Sequence, residues 1–191
     1  PLELVLRENL RSPARIARVL EQVSGFYDEL ARSQRPRWQC AAQKQCMEAR
    51  LFHVKVSRAE VVRALRALSE GGGVVTVTPG EEMPGWIPED LAVSVLTPAQ
   101  AKGLEYQTVC VLDPRQALMD LKRAISGVDL TLHDARGRID QLRVALSRAV
   151  EALIFLDTSA DQEALGLSSR ILADAAPLTV DDLLEELSAS A

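Results

Sequence analysis

The sequence predicts an α/β fold in which a mostly parallel sheet lies between two layers of helices. Short runs of β-branched and apolar residues alternate with stretches whose apolar residues recur at helical spacing. This alternation is typical of repeated strand–helix–strand units, which pair their strands in parallel. With 191 residues, of which 47% are hydrophobic, the chain is long enough for one such domain with a buried core.

Apolar runs bounded by polar, glycine or proline residues predict the strands. The clearest run, 74–77, is Val-Val-Thr-Val, and all four residues are β-branched, which favours extended backbone. We predict strands over 2–6, 50–56, 74–77, 91–96, 108–112 and 152–156.

Capping residues and apolar periodicity predict the helices. The first follows Ser12 and Pro13, because serine caps a helix and proline suits its first turn, and it should end near Gly25. The second begins after Ser57 and stops at the three glycines 71–73. Further helices are predicted over 116–125, 139–149 and 181–187. We assign 1–157 to one domain and 158–191 to a C-terminal helical tail of that domain.

The charge balance limits the partners that this chain can bind by itself. Its formal net charge is −5 and its pI about 5.2, whereas domains that hold nucleic acid alone are usually basic. Nucleic-acid contact is therefore expected to be local or shared with another domain. With neither a signal peptide nor an apolar run of about 18 residues, the sequence predicts a soluble, cytoplasmic protein, nucleoid-associated if bacterial.

The cysteines and histidines indicate no metal site. Three cysteines without a CxxC pair favour neither a disulfide framework nor bound zinc. His53 and His133 are isolated, and we interpret both as structural. Trp38 and Trp86 could stack on bases, although Trp86, between Pro84-Gly85 and Ile87-Pro88, is better explained as a loop anchor.

The first candidate constellation is Glu8-Asn9-Leu10-Arg11-Ser12-Pro13. Arg11 precedes a helix N-terminus, where free N–H groups and the helix dipole favour a phosphate. An arginine there adds a planar, permanently charged donor group. The alternative is an ordinary surface arginine beside a helix cap.

The second constellation runs from Thr97 to Tyr106 between two predicted strands, which should place it at the carboxyl edge of the sheet, where ligands bind. Gly103 would allow the backbone to approach a ligand closely. Glu105 could accept hydrogen bonds from a ribose hydroxyl. The alternative is a tight crossover loop in which Lys102 and Glu105 are solvated.

The third constellation is the helix 142–149, which leads into the last strand. Arg148 lies off its apolar face and could reach across a domain boundary to a phosphate; the alternative is a solvated basic face. Asp113, at the end of 108–112, resembles the strand-end aspartate that binds magnesium in P-loop enzymes. Because the sequence has no GxxxxGK[ST] loop, we favour a structural strand-end aspartate.

Taken in order, these three segments resemble motifs four, five and six of UvrD/Rep-type superfamily 1 helicases. The family typically has Asn-x-Arg-Ser, Ala-Lys-Gly-Leu-Glu-Phe and Val-Ala-Leu-Thr-Arg-Ala; this chain has Asn9-Leu10-Arg11-Ser12, Ala101-Lys102-Gly103-Leu104-Glu105-Tyr106 and Val144-Ala145-Leu146-Ser147-Arg148-Ala149. The resemblance spans 2–157. It implies the second, C-terminal RecA-like domain of such a helicase, without a P-loop of its own.

The resemblance also implies roles for individual residues. Arg11 and Arg148 would contact the γ-phosphate of ATP, bound with Mg²⁺ between this domain and an N-terminal RecA-like domain. Lys102, Gly103 and Glu105 would line the nucleotide, with Glu105 at the ribose. Thr97 and Gln100 would lie near single-stranded nucleic acid, expected to be DNA.

The chain departs from the family pattern at specific positions. Ala99 stands where histidine is common, Arg143 replaces the usual aromatic residue, and Pro98 is also less usual. The fourth and fifth motifs are only about 80 residues apart, too few for the full inserted domain of UvrD and Rep. The alternative to a motor is therefore a non-catalytic helicase-like scaffold or regulatory module.

Overall fold

In a computed structural model of the protein, the residues described are 8–9, 12–30, 41–42, 49–71, 73–127, 131–158, 172 and 174–189. Their centre is a six-stranded sheet in which every pair of neighbours is parallel, in the order β5-β4-β6-β7-β3-β8. The strands are β3 Arg50–Lys55, β4 Val74–Val77, β5 Val95–Leu96, β6 Tyr106–Leu112, β7 Ala149–Asp157 and β8 Ala176–Leu178. A separate parallel pair is formed by β1 Glu8–Asn9 and β2 Ala41–Ala42.

The described residues form seven helices around the sheet. They are α1 Ala14–Leu30, α2 Arg58–Gly71, α3 Glu89–Ala92, α4 Pro98–Ala101, α5 Pro114–Gly127, α6 Leu132–Leu146 and α7 Val180–Ser188. The hydrophobic core forms two clusters, one on each face of the sheet. Helices α1, α5 and α6 pack into the first cluster, and α2, α3 and α7 pack into the second.

Strand β7 shows why the sheet is buried on both faces. Leu153 and Phe155 point into the first cluster, whereas Ala152, Ile154 and Leu156 point into the second, as the two-residue period of a strand requires. A central parallel strand covered on both sides reads as a continuous apolar run, which is the pattern that predicted it. The predicted fold class, a three-layer α/β sandwich around a parallel sheet, is confirmed, and its RecA-like character stays a prediction.

The pairing of β6 with β7 positions the candidate site. Their register places Tyr106 opposite Ala149 and Leu112 opposite Leu156, with an irregularity between Tyr106 and Thr108. The two strands therefore begin side by side at one edge of the sheet. Residues that immediately precede them, Glu105 and Arg148, become neighbours.

Most predicted elements are confirmed, with two corrections to their extent. Helix α1 continues past Gly25 to Leu30. The helix predicted over 139–149 begins at Leu132, where Thr131 accepts a hydrogen bond from the amide of Asp134, and ends at Leu146. Its last predicted residues belong to β7 and the turn before it, because backbone pairing with β6 overrides the helical apolar pattern.

The predicted strand 91–96 is wrong over its first half. Residues Glu89–Ala92 form helix α3, which has two acidic residues in its first turn, where the helix dipole favours them. Leu91 is buried, but Val93 is 85% exposed. The apolar run 91–96 therefore contains the end of a short helix, an exposed turn and the two-residue strand β5.

The C-terminal region contributes more than a helix. The helix predicted over 181–187 is confirmed as α7, and Thr179 forms a capping box with Asp182 at its start. Strand β8, which was not predicted, pairs with β3 and forms one edge of the sheet. The domain boundary at 157 stays a prediction.

Several sequence predictions lie outside the described residues. They concern the strand 2–6, Arg11, Trp38, Cys40 and Cys46. Among the helices that can be described, none has both the length and the apolar character needed to cross a membrane.

Candidate functional site

The segment between β5 and β6 crosses the sheet from one edge to the other. Thr97 follows the carboxyl end of β5, and Tyr106 opens β6 at its amino end. Since β5 and β6 both run parallel to β4, which lies between them, the chain must return to the starting edge before β6 begins. Only the start of this constellation therefore lies at the carboxyl edge that we predicted. Gly103 and Glu105 lie at the amino edge.

Thr97 and Gln100 form a reciprocal capping box at the start of α4. The Thr97 amide donates to Gln100 Oε1 at 2.8 Å, and the Gln100 amide donates to Thr97 Oγ1 at 3.4 Å. Thr97 Oγ1 also donates to Gln100 Oε1 at 3.1 Å. Such a cap satisfies N–H groups that the helix itself leaves without partners. The structure thus assigns both side chains a local structural role, and their predicted contact with nucleic acid stays a prediction.

Residues 102–105, called here the 102–105 loop, lie between Ala101 and Tyr106, both of which contact the first core cluster. Ala101 is fully buried, whereas the four loop residues are exposed, Leu104 by 51%. Gly103 has a φ of +87°, which side-chain-bearing residues rarely adopt, but a Cβ there would meet nothing within 4 Å. The glycine is therefore required by the backbone angle and not by lack of space.

Arg148 is buried, contrary to the prediction of an exposed arginine. Its side chain folds back on the end of α6, where Nε donates to the Val144 carbonyl at 3.1 Å and Nη2 to Ser147 Oγ at 2.9 Å. Nη1 donates to the Leu104 carbonyl at 3.1 Å, and the residue is 7% exposed. The reason is that carbonyls at a helix C-terminus lack helical donors and attract a cation.

The structure brings two of the three predicted constellations together. Gly103, Glu105 and Arg148 lie at the amino edge of the sheet, although Leu104 and Arg148 are 44 positions apart in the chain. Thr97 lies at the opposite edge, beyond α4. Arg11 lies outside the described residues, so its convergence with Arg148 stays a prediction.

Asp113 ends β6 at the carboxyl edge and has a structural partner. Its carboxylate accepts hydrogen bonds from the Thr158 amide at 2.6 Å and from Thr158 Oγ1 at 2.8 and 2.9 Å. Burial raises the pKa of this carboxyl, the Thr158 bonds and Arg58 lower it, and the charge of Asp157 raises it. The interaction joins the chain after β7 to the end of β6, as a structural strand-end aspartate would.

The histidine of β3 is also engaged in the fold. His53 Nε2 lies 3.0 Å from Oδ2 of Asp157, whose side chain is fully buried. The pair lies at the same edge as Asp113 and connects β3 to β7, in keeping with our structural interpretation of His53.

A cavity of about 730 Å³ lies at the carboxyl edge, between the loop 79–86 and helices α5 and α6. Its lining includes Trp86, Asp113 and His133. Trp86 also packs against the second core cluster, in keeping with a loop anchor. The sequence patterns did not predict this cavity, and the one signal for it was the Gly- and Pro-rich composition of the loop. None of Gly103, Glu105 and Arg148 lines it.

Comparison with solved structures finds a likeness to the C-terminal domain of a possible DNA helicase from Lactobacillus plantarum WCFS1. The two chains are 14% identical, with a TM-score of 0.46, over 90% of this chain and 99% of that one. No protein-family model matches the chain. No curated protein matches it.

Proposed function

We propose that this chain is the second RecA-like domain of a UvrD/Rep-type superfamily 1 helicase and supplies one wall of an ATP site shared with an N-terminal RecA-like domain. The observation that supports this most is the convergence of Glu105 and Arg148 at the amino edge of the sheet. They belong to separate segments that each resemble a helicase motif. No general rule of α/β packing requires these two side-chain types to meet there.

In this proposal, Arg148 and Arg11 stabilise charge on the γ-phosphate as it is transferred to water, and Glu105 accepts hydrogen bonds from the ribose. Gly103 and Lys102 complete this wall. The sequence has no phosphate-binding GxxxxGK[ST] loop. Within the described ranges, no group of three or more His, Cys, Asp or Glu side chains could hold a metal ion. The Mg²⁺ that accompanies ATP would therefore be held by the partner domain and the phosphates.

Single-stranded nucleic acid, for which we propose DNA, would be shared between the two domains. The net charge of −5 is poorly suited to phosphate binding by this chain alone. Thr97 and Gln100 would contribute local contacts, for which their capping bonds would have to open or be shared.

The test is DNA-stimulated ATP hydrolysis by this chain joined to its N-terminal domain. Arg148→Ala should lower turnover by about 10³- to 10⁵-fold, the range associated with arginine fingers. Arg138→Ala is the matched control, because Arg138 lies on the same helix but is exposed, and its turnover should be unchanged. Near-normal turnover in the Arg148 variant would remove Arg148 from the site.

A non-catalytic scaffold is the second candidate, and one observation favours it. The guanidinium of Arg148 is bonded within the domain and buried, as a purely structural arginine would be. Absence of a GxxxxGK[ST] loop from any N-terminal domain of the same protein would support the scaffold, whereas its presence would support the motor.

A further inference from the structure

The side chain of Arg148 joins two segments that differ greatly in how firmly they are held. Two of its acceptors, the Val144 carbonyl and Ser147 Oγ, lie at the end of α6, which packs in the first core cluster. The third, the Leu104 carbonyl, lies in the exposed 102–105 loop. Arg148 therefore attaches a solvated loop to a firmly packed helix.

The backbone of Arg148 strengthens this attachment. Its carbonyl accepts a hydrogen bond from the Tyr106 amide at 3.0 Å, while the Leu104 amide donates to the Ala101 carbonyl at 3.2 Å. The loop is thus held by Ala101 before it and by Arg148 after it. Because the side chain of Leu104 is half exposed, these hydrogen bonds position the loop, and packing contributes little.

A phosphate cannot reach the guanidinium while it stays in this position. Arg148 is 7% exposed, and three of its N–H groups point to acceptors within the domain. The planar group moves as a unit, so turning it towards an outside anion also carries Nη1 away from Leu104.

We propose that Arg148 is a positioning residue for the 102–105 loop, and that the movement which brings its guanidinium to a phosphate releases the Leu104 carbonyl. The second half of this inference rests on the proposed function. The loop that carries Glu105 would then be free to adjust only when the phosphate is engaged. Arg148 would then have two positions, one bonded to Leu104 and one turned to the phosphate. A ligand that favours one of two such positions can change the structure of a neighbouring segment.

The first half is tested on the chain by itself, by hydrogen exchange at the amides of Leu104 and Tyr106. Arg148→Met keeps an apolar stem of similar length and removes the donors. It should speed exchange at both amides about ten- to a hundredfold, as expected when a bond to a charged donor is lost. Arg138→Met on the same helix should change neither. Unaltered exchange in the Arg148 variant, with its core amides still protected, would overturn the positioning role.

The second half is tested with the two domains joined, using the non-hydrolysable analogue AMP-PNP with Mg²⁺. Bound analogue should speed exchange at the Leu104 amide in the wild type. Bound analogue that leaves this amide unchanged, or slows it, overturns the release but not the ATP site. Failure of the analogue to bind at all overturns the proposed function, while the result on the isolated chain still decides the positioning role.

Discussion

Replacing Asp113 by glycine and by alanine should reverse the usual order of these two residues. Asp113 has a φ of +41°, and among the described residues it is the only non-glycine with a positive φ. Its backbone is fixed there from both sides, because its amide donates to the Leu156 carbonyl at 2.8 Å and its carbonyl accepts from the Ala117 amide at 3.1 Å. Any substituent must therefore adopt the left-handed angle.

Both variants lose the bonds from Thr158 and the buried carboxyl alike, so this loss is common to the two and does not affect their order. Alanine additionally places a Cβ in the left-handed region, which costs about 1–2 kcal/mol. Glycine avoids this, but its freer unfolded chain costs about 0.4–1 kcal/mol. Asp113→Gly should therefore be the more stable variant by roughly 0.5–1 kcal/mol.

Urea unfolding of the wild type and the two variants measures this difference, provided that their m-values agree. Gly25 gives the matched control, because it lies inside helix α1 at an ordinary φ and a Cβ there would meet nothing within 4 Å. Gly25→Ala should stabilise the chain, in the normal order. An alanine at 113 that equals or exceeds the glycine in stability would refute the argument from backbone angle.

The remaining predictions use the same chain. Gly103→Ala should destabilise it by about 1 kcal/mol despite open space around the site, measured by thermal unfolding, because φ is +87°. The pKa of Asp113 is raised above 3.8 in the fold. The stability that is linked to its protonation is therefore fully present below pH 3.8 and is lost as the pH rises through the folded pKa. Asp113→Asn should flatten the curve of unfolding free energy against pH in that window, and an unchanged curve would contradict this. Burial raises the pKa of the Cys110 thiol to about 12, so with Cys40 and Cys46 replaced by serine, a thiol reagent at pH 8 should react only after unfolding. The isolated chain should neither hydrolyse ATP nor bind single strands tightly at physiological salt, and robust turnover or tight, salt-sensitive binding would count against the shared-site proposal.

The fold could be predicted from the sequence because the buried strands are marked by short runs of apolar residues. The strand 152–156 is buried on both faces and therefore stands out as a continuous apolar run, and the strand 74–77, whose second half is buried, stands out by its β-branched residues. Strand β8 did not stand out, since its residues Ala-Pro-Leu lie at a sheet edge and are largely exposed. Short or exposed elements carry little apolar signal, so their pairing depends on the tertiary fold.

The motifs in the sequence could propose residues for the candidate site, but they could not predict its geometry. Spacing alone could not show that the segment after Thr97 returns to the amino edge, because this follows from the placement of β4 between β5 and β6. Nor could it show that Arg148 turns inward, since the acceptor at Leu104 is 44 positions away. A local sequence pattern can identify an arginine at a helix end, but the direction of its side chain depends on acceptors in a loop that is distant in sequence.

The polar interactions at the two edges of the sheet differ in how firmly they are held. At the carboxyl edge, Asp113 and Asp157 are engaged by Thr158 and His53, and these interactions join adjacent strands of one core. At the amino edge, Gly103 and Glu105 are exposed, and the loop they form is held chiefly by hydrogen bonds. Bonds at a solvated loop open at lower free energy than those in the core. If a ligand moves part of this domain, we therefore expect the movement at the amino edge. There the side chain of Arg148 donates hydrogen bonds both to the end of α6 and to the 102–105 loop.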